Sequence, residues 1–293
     1  MNQMLEEYTA FLKKQKMAEN TSVSYAHDVE KFSEFLKTDD TTELLNANTD
    51  RIKEYVKEMK RIGKANSTIS RTVASLRKFY SYQYSKKRIK VNPTYGIELP
   101  KAEKSIPGFI SAAEAARLLE QPKCVDLKGY RDKAMLELLY ATGIKISELI
   151  SLSVRDADVK NSMIVCTNGK THRYIPIGKA ACVALENYIN NARPLLLGDG
   201  REKTLFLNCF GKPMTRQGFW KILRGYADAA GIKSEISAQT LRHSFAMHLL
   251  QNGADIGAVS EMLGHKDIAA TRKYNQVLKE DIKRIYNKAH PRA

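Results

Sequence analysis

The sequence predicts a mainly α chain of the α+β class. A small helical domain comes first, then a larger, mostly helical domain that holds a small antiparallel sheet. Three observations predict this. Apolar residues recur at helical spacing through the first 95 residues with no strand period. A stretch rich in proline and glycine follows. Further on, two β-branched runs flank an Asn-Gly pair. With 293 residues and 43% hydrophobic content, the chain can furnish two cores.

Four helices are expected in residues 1–95. Leu5, Tyr8 and Leu12 form one apolar stripe, and Tyr25, Val29, Phe32 and Leu36 a second. Thr49 and Asp50 are placed to cap a third helix carrying Ile52, Val56 and Met59, and Ser67 or Thr68 to open a fourth through Ile69, Leu76 and Tyr80. Asn92 to Phe109, NPTYGIELPKAEKSIPGF, has three prolines and two glycines and reads as a linker, bounded at 96–109. The second domain, 110–293, opens on a capping box from Ser111 to Glu114. Helices are expected around Arg131 to Thr142 and Ile146 to Leu152. SMIVCTNGKTHRYIPI is expected to form a hairpin about Asn168-Gly169. A helix over Ala181 to Asn191, a short strand at Leu205 to Asn208 and further helices complete the expectation.

The charge balance, 48 basic against 32 acidic residues, leaves a net +16 and points to a polyanionic partner. Its distribution is more informative. Residues 1–50 hold five Lys/Arg and ten Asp/Glu. Residues 60–90 hold ten cations and no acid: Lys60, Arg61, Lys64, Arg71, Arg77, Lys78, Lys86, Lys87, Arg88 and Lys90. Phe79, Tyr80, Tyr82 and Tyr84 are interleaved, with Phe79 and Tyr80 expected in the core. A helix with one cationic and one apolar face suits the backbone of duplex DNA.

Cys124, Cys166, Cys182 and Cys209 show no CxxC pair or metal spacing and read as reduced, packed thiols of a cytoplasmic protein. His243 and His248, five apart, share no helix face as a metal pair would. No metal site is expected. No run of about 18 apolar residues suggests a membrane span, and the acidic amino terminus is unlike a signal peptide.

Near the carboxyl end, TLRHSFAMHLL and EMLGHKDIAATRKY carry Arg242, His265 and Tyr274. A guanidinium fork holds two phosphoryl oxygens at once. A phenol can displace an ester oxygen and store the bond as phosphotyrosine. An imidazole can donate to phosphate or move a proton near neutral pH.

These stretches, with GYRDKAMLELLYATGIKISELISL (Gly129 to Leu152), resemble the signature boxes of the tyrosine recombinases of the phage integrase family. The terminal HPRA and the chain length resemble the Xer-type site-specific recombinases. The resemblance implies a helical core-binding domain, a catalytic domain, and cleavage and rejoining of duplex DNA through a 3′-phosphotyrosine, with no metal or nucleotide cofactor. It places the phosphate-facing set on Lys145, Lys170, Gln239, Arg242, His265 and Tyr274. Tyr274 would be the nucleophile, and Lys170, beside the hairpin turn, the general acid for the leaving 5′ oxygen.

Two positions depart from the family pattern. Lys145, in ATGIKISEL, stands where the family has arginine and keeps the charge without the fork. Gln239, in AQTLRH, stands where histidine is usual and cannot shuttle a proton. An impaired, DNA-gripping descendant is therefore an alternative reading. A type IB-like topoisomerase is another, disfavoured by the small first domain and the lack of a long coiled linker. The resemblance further implies a homo- or hetero-tetramer on two DNA sites, with a second Xer-type recombinase and a septal DNA translocase as partners. Chromosome dimer resolution or mobile-element integration would be the role, and the nucleoid the location. Leu278, Ile282 and Ile285 mark an amphipathic tail expected to pack on a neighbouring protomer.

Overall fold

The computed structural model describes residues 2–37, 41–99, 108–168, 171–265, 267, 270, 271 and 274. Two compact units divide the chain, residues 1–105 and 106–293. Lys170 and the tail with Leu278, Ile282 and Ile285 lie outside the described residues.

Five helices build the described part of the first unit: α1 (Asn2–Lys14), α2 (Glu19–Leu36), α3 (Thr41–Asn46), α4 (Thr49–Arg61) and α5 (Asn66–Ser85). Four match the apolar stripes. The fifth, α3, is only six residues long and sends Leu44 into the core, too short to carry a readable period. Two expected caps are corrected. Asn48, in extended backbone, caps α4 by accepting the Arg51 N–H at 3.0 Å, so Thr49 and Asp50 fall in the first turn. Ala65 precedes α5 without any side-chain cap.

Tyr8, Leu12, Phe32, Leu44, Ile52, Leu76, Phe79 and Tyr80 are fully buried and form the core. Tyr8 meets Phe79 edge-on at 5.2 Å, and Phe11 stacks on Tyr82 at 4.4 Å. One charge lies within this apolar packing. Asp28 of α2 is 5% exposed and accepts Arg71 Nε and Nη2 at 3.1 and 2.8 Å, Ser75 Oγ at 2.7 Å and Thr72 Oγ1 at 3.3 Å. A single carboxylate thereby ties α2 to α5.

The second unit begins with α6 (Ala112–Leu119), where Ser111 and Glu114 form the expected capping box. The unit is organised around α7 (Leu127–Thr142), which buries Ala134, Met135, Leu136, Leu138 and Leu139 together with the paired Arg131 and Asp132, and so is covered on nearly every side. α8 (Ile146–Ser151) follows. The sheet holds β1 (Ala157–Asp158), β2 (Met163–Asn168) and β3 (Thr171–Pro176), antiparallel in that order. Asn168 pairs with Thr171, so the expected hairpin forms, with Asn168 closing the ladder as the last residue of β2 and not lying in the turn. Next come α9 (Lys179–Asn187), a π-helical turn at Tyr188–Ala192, α10 (Arg193–Leu197), α11 (Arg216–Ala229), α12 (Ala238–Gln251) and α13 (Ile256–Leu263).

The strand expected at Leu205 to Asn208 is not formed. Its backbone groups are taken by other partners, and only isolated bridges remain, Ser153 to Thr204 and Leu207 to Pro213. Tyr188 Oη donates to the Leu205 carbonyl at 3.0 Å and accepts the Leu207 N–H at 3.1 Å. Arg193 caps the Thr204 and Leu205 carbonyls. The expected role of the cysteines is also corrected: Cys166 is buried and Cys182 half-buried, whereas Cys124 and Cys209 are exposed.

Arg71→Ala leaves the Asp28 carboxylate in the core without its cation. The first unit should lose about 1–3 kcal/mol, below the usual cost of breaking a fully buried pair because Arg71 is half exposed. Adding Asp28→Asn should recover much of that loss. Urea denaturation of the full chain measures both.

Candidate active site

The site grows from the first turns of α12. Ser237 Oγ accepts the Thr240 N–H at 3.0 Å and sets the start of this helix. Gln239, Arg242 and His243, at helical positions i, i+3 and i+4, then share a face.

Arg242 is 3% exposed. Its Nη1 donates to the Gly143 carbonyl and its Nη2 to the Leu263 carbonyl, both at 2.6 Å. Burial lowers the guanidinium pKa from its ordinary value, with Glu148 and Tyr274 opposing. Gly143 ends α7 in the left-handed conformation (φ 58°), and a Cβ there would run into the Phe245 ring. Both constraints require glycine at the carbonyl that holds Arg242.

His265 follows the end of α13. Its Nε2 lies 3.1 Å from Arg242 Nη2, and its Nδ1 lies 2.7 Å from Thr271 Oγ1. Arginine only donates, so Nε2 accepts and Nδ1 carries the proton toward Thr271; the network assigns this tautomer.

Tyr274 is 1% exposed, with its ring edge-on to His243 at 5.7 Å. Burial pushes its phenol pKa up to about 12, against the lowering pull of Arg242. Gln239, exposed, places its Nε2 2.7 Å from His243 Nε2. It also borders an apolar cleft of about 400 Å³ lined by Ile146, Phe219, Trp220 and Leu223.

Lys145 is exposed at the start of α8, two residues beyond the Gly143 carbonyl that holds Arg242. Its backbone N–H donates to Glu148 at 2.8 Å. The described members Lys145, Gln239, Arg242, His265 and Tyr274 therefore gather at the ends of α7 and α13 and the start of α12. Sequence reasoning missed Gly143, His243, Thr271, and Glu148 with its partner Arg173. Two had a legible signal: Gly143, a glycine just past a helix expected to end at Thr142, and Glu148, an acid three residues after a helix start.

The basic segment of the first unit is more divided than its sequence suggests. Lys60 and Arg61 end α4, Lys64 lies in the turn, Arg71, Arg77 and Lys78 are on α5, and Lys86, Lys87, Arg88 and Lys90 follow it. The single cationic helix face is thus corrected to a run over the end of α4, the turn after it, the body of α5 and the stretch that follows. Several of its cations have partners: Arg61 has Glu58, Arg71 has Asp28 and Arg88 has Glu7. Arg77 donates to the Ile97 carbonyl, and Lys78 lies over the Phe11 ring. Lys60, Lys64, Lys86, Lys87 and Lys90 are exposed. Among the described residues no His, Cys, Asp and Glu group suits a metal ion, and no helix is long and apolar enough to cross a membrane.

Residues 108–281 match the phage integrase family, and residues 5–87 match the N-terminal SAM-like domain of phage integrases. The chain belongs to the phage integrase family. Relatives in this family include tyrosine recombinase XerD of Staphylococcus epidermidis, 38% identical over 100% of both chains. Tyrosine recombinase XerD of Oceanobacillus iheyensis is 42% identical over 99% of this chain and 98% of its own. The fold is that of XerH bound to a palindromic difH substrate in a post-cleavage complex: TM-score 0.75, 21% identity, covering 97% of this chain and 84% of that one. It is also that of a lambda integrase dimer bound to a core site, with TM-score 0.72 and 15% identity, 94% of each chain being covered.

A buried phenol is closed to reagents in solution. Treatment of the free protein with tetranitromethane should nitrate the exposed Tyr84, Tyr95 and Tyr174 and spare Tyr274. Peptide mapping by mass spectrometry reads the outcome, and early nitration of Tyr274 would contradict its burial.

Proposed function

We propose that this chain cuts and rejoins duplex DNA at a specific site, with Tyr274 as the nucleophile. The observation that supports this most is the Arg242, His265 and Tyr274 neighbourhood, drawn from positions up to 32 residues apart into one buried site. Membership of the phage integrase family agrees with it.

In the proposed reaction the Tyr274 oxygen bonds to phosphorus as the bond to the 5′ oxygen breaks. The phenol gives up its proton to solvent, and the leaving 5′ oxygen gains one from Lys170. A 5′ hydroxyl from another strand then reverses the step. Burial raises the Tyr274 pKa and keeps the phenol neutral in the free chain, so the proton has to be lost before or during attack. Arg242 has spent Nη1 and Nη2 hydrogens on carbonyls and His265, which fixes the plane in which its remaining N–H groups meet a phosphate. Its low-dielectric setting strengthens that contact. The buried Tyr274 has to move outward to reach DNA.

The role we propose is chromosome dimer resolution, supported by full-length relatives named tyrosine recombinase XerD, with chromosome partition as its setting. Four subunits on two DNA sites, a second Xer-type recombinase and a septal translocase belong to the same proposal. A second reading, a slowed enzyme that mainly grips DNA, is favoured by Lys145 and Gln239. Neither supplies the fork or the proton transfer that the family pattern offers.

A nicked suicide substrate should trap a covalent adduct with the wild-type chain and none with Tyr274→Phe, which should keep its fold and DNA affinity. An adduct on another tyrosine would end the assignment. On the same substrate, Lys145→Arg should raise the cleavage rate by up to about 10²–10³, the worth of one preorganised donor. Gln239→His should add less. An unchanged rate in Lys145→Arg would mean the site is adapted to lysine.

DNA contact by the first unit is tested on the exposed lysines, because Arg71, Arg77 and Lys78 have structural partners. Neutralising Lys60, Lys64 and Lys87 should weaken binding to every sequence. The slope of log affinity against log salt should flatten by roughly one unit per lost contact. A constant slope would place these lysines away from DNA.

A further inference from the structure

We propose that Arg173 is a positioning residue for the cleavage reaction, setting Lys145 against Arg242 and His265 by clamping the start of α8 to the end of α13. The inference rests on the reading of this site as a DNA-cleaving one.

Arg173 lies in β3, opposite the buried Cys166 of β2. Its side chain is 14% exposed and that of Glu148 is 15% exposed. Nη1 donates to Glu148 Oε1 at 2.9 Å and Nη2 to Oε2 at 2.8 Å, a two-pronged pair. Nε points the other way, to the Met262 carbonyl at 3.0 Å. Glu148 in turn accepts the Lys145 N–H. One guanidinium thus connects the backbone at Lys145 with the last turn of α13.

Arg242 makes a parallel connection one step away. It joins the Gly143 carbonyl to the Leu263 carbonyl, next in the chain to Met262. The two arginines are rungs between the same two segments, Gly143 to Glu148 and Met262 to Leu263. Arg242 would also meet the phosphate, while each nitrogen of Arg173 already has a protein partner. Gly264 fits this packing: it is left-handed (φ 64°), and a Cβ there would stand 2.9 Å from Arg173 Cζ.

Fold stability alone is a weak reason for this arrangement. A buried ion pair adds little net stability over a well-packed apolar pair, because desolvation offsets its attraction. What it adds is direction: a rigid fork fixes two chain segments in angle as well as distance. Burial pushes the Glu148 carboxyl up, but the Arg173 hydrogen bonds, the Lys145 N–H and the Arg173 charge outweigh it. Its pKa stays below the ordinary value, and the pair remains charged at neutral pH. A lysine at position 173 keeps the charge but cannot reach Glu148 with two prongs and Met262 with a third donor.

The test uses the full chain on the nicked suicide substrate, measuring the single-turnover rate with DNA saturating, the DNA affinity and the thermal midpoint. Arg173→Gln and Arg173→Lys should both slow cleavage about 10²-fold, the cost of an ångström-scale misplacement, with affinity little changed. Lys145→Ala should then cost much less in the Arg173→Gln background than in the wild type, because Lys145 is already out of place. A purely structural residue would lower the thermal midpoint and leave the Lys145→Ala factor the same in both backgrounds, which would overturn the proposal. A near wild-type rate in Arg173→Lys would overturn it as well, and that variant serves if Arg173→Gln fails to fold. If the wild-type chain forms no adduct, the reading of the site fails and this inference with it. Adduct formation by the wild type with undiminished rates in the variants defeats the inference alone.

Discussion

Arg242 is the point on which the second unit's geometry turns. A guanidinium buried to 3% must have its donors satisfied, and the groups that satisfy them are backbone carbonyls at the ends of two helices. Gly143 and Leu263 can present those carbonyls only because α7 and α13 stop where they do, each followed or closed by a left-handed glycine. The cost of burying this charge is thereby turned into placement. The side chain that would face a phosphate is fixed by the same bonds that hold the two helix ends together.

His265 and Tyr274 depend on that placement. The arginine leaves His265 one tautomer, since a donor-only group at Nε2 sends the ring proton to Thr271. Burial raises the Tyr274 pKa against the lowering pull of the same arginine, which leaves the phenol protonated and closed off in the free chain. The first unit follows a similar rule at lower stakes. Asp28 is a buried charge whose partner, Arg71, ties two helices together while half its surface stays in solvent.

Legibility followed the range of the forces involved. The capping box at Ser111, the hairpin about Asn168-Gly169 and the stripes of α1, α2, α4 and α5 were readable because their causes act within a few residues. The missed helix α3 has too few residues for a period. The strand expected at Leu205 to Asn208 failed because Tyr188 and Arg193 occupy its backbone groups, and no local pattern announces a distant side chain. The acid-free run from Lys60 to Lys90 misled in the same way, since the carboxylates that pair with Arg71 and Arg88 come from α2 and α1.

Sequence by itself determined the fold class, the family boxes and the residue types available for chemistry, including the two substitutions at Lys145 and Gln239. Those depend on local propensity and motif spacing. Only the tertiary structure decided that Arg242 is anchored by two carbonyls, that Tyr274 is buried, that Gln239 bonds to His243, and that Arg173 spans Glu148 and Met262. Each joins elements far apart in the chain or sets how deeply a group lies from water. Burial and long-range hydrogen bonding are properties of packed elements, and no single stretch of sequence contains them.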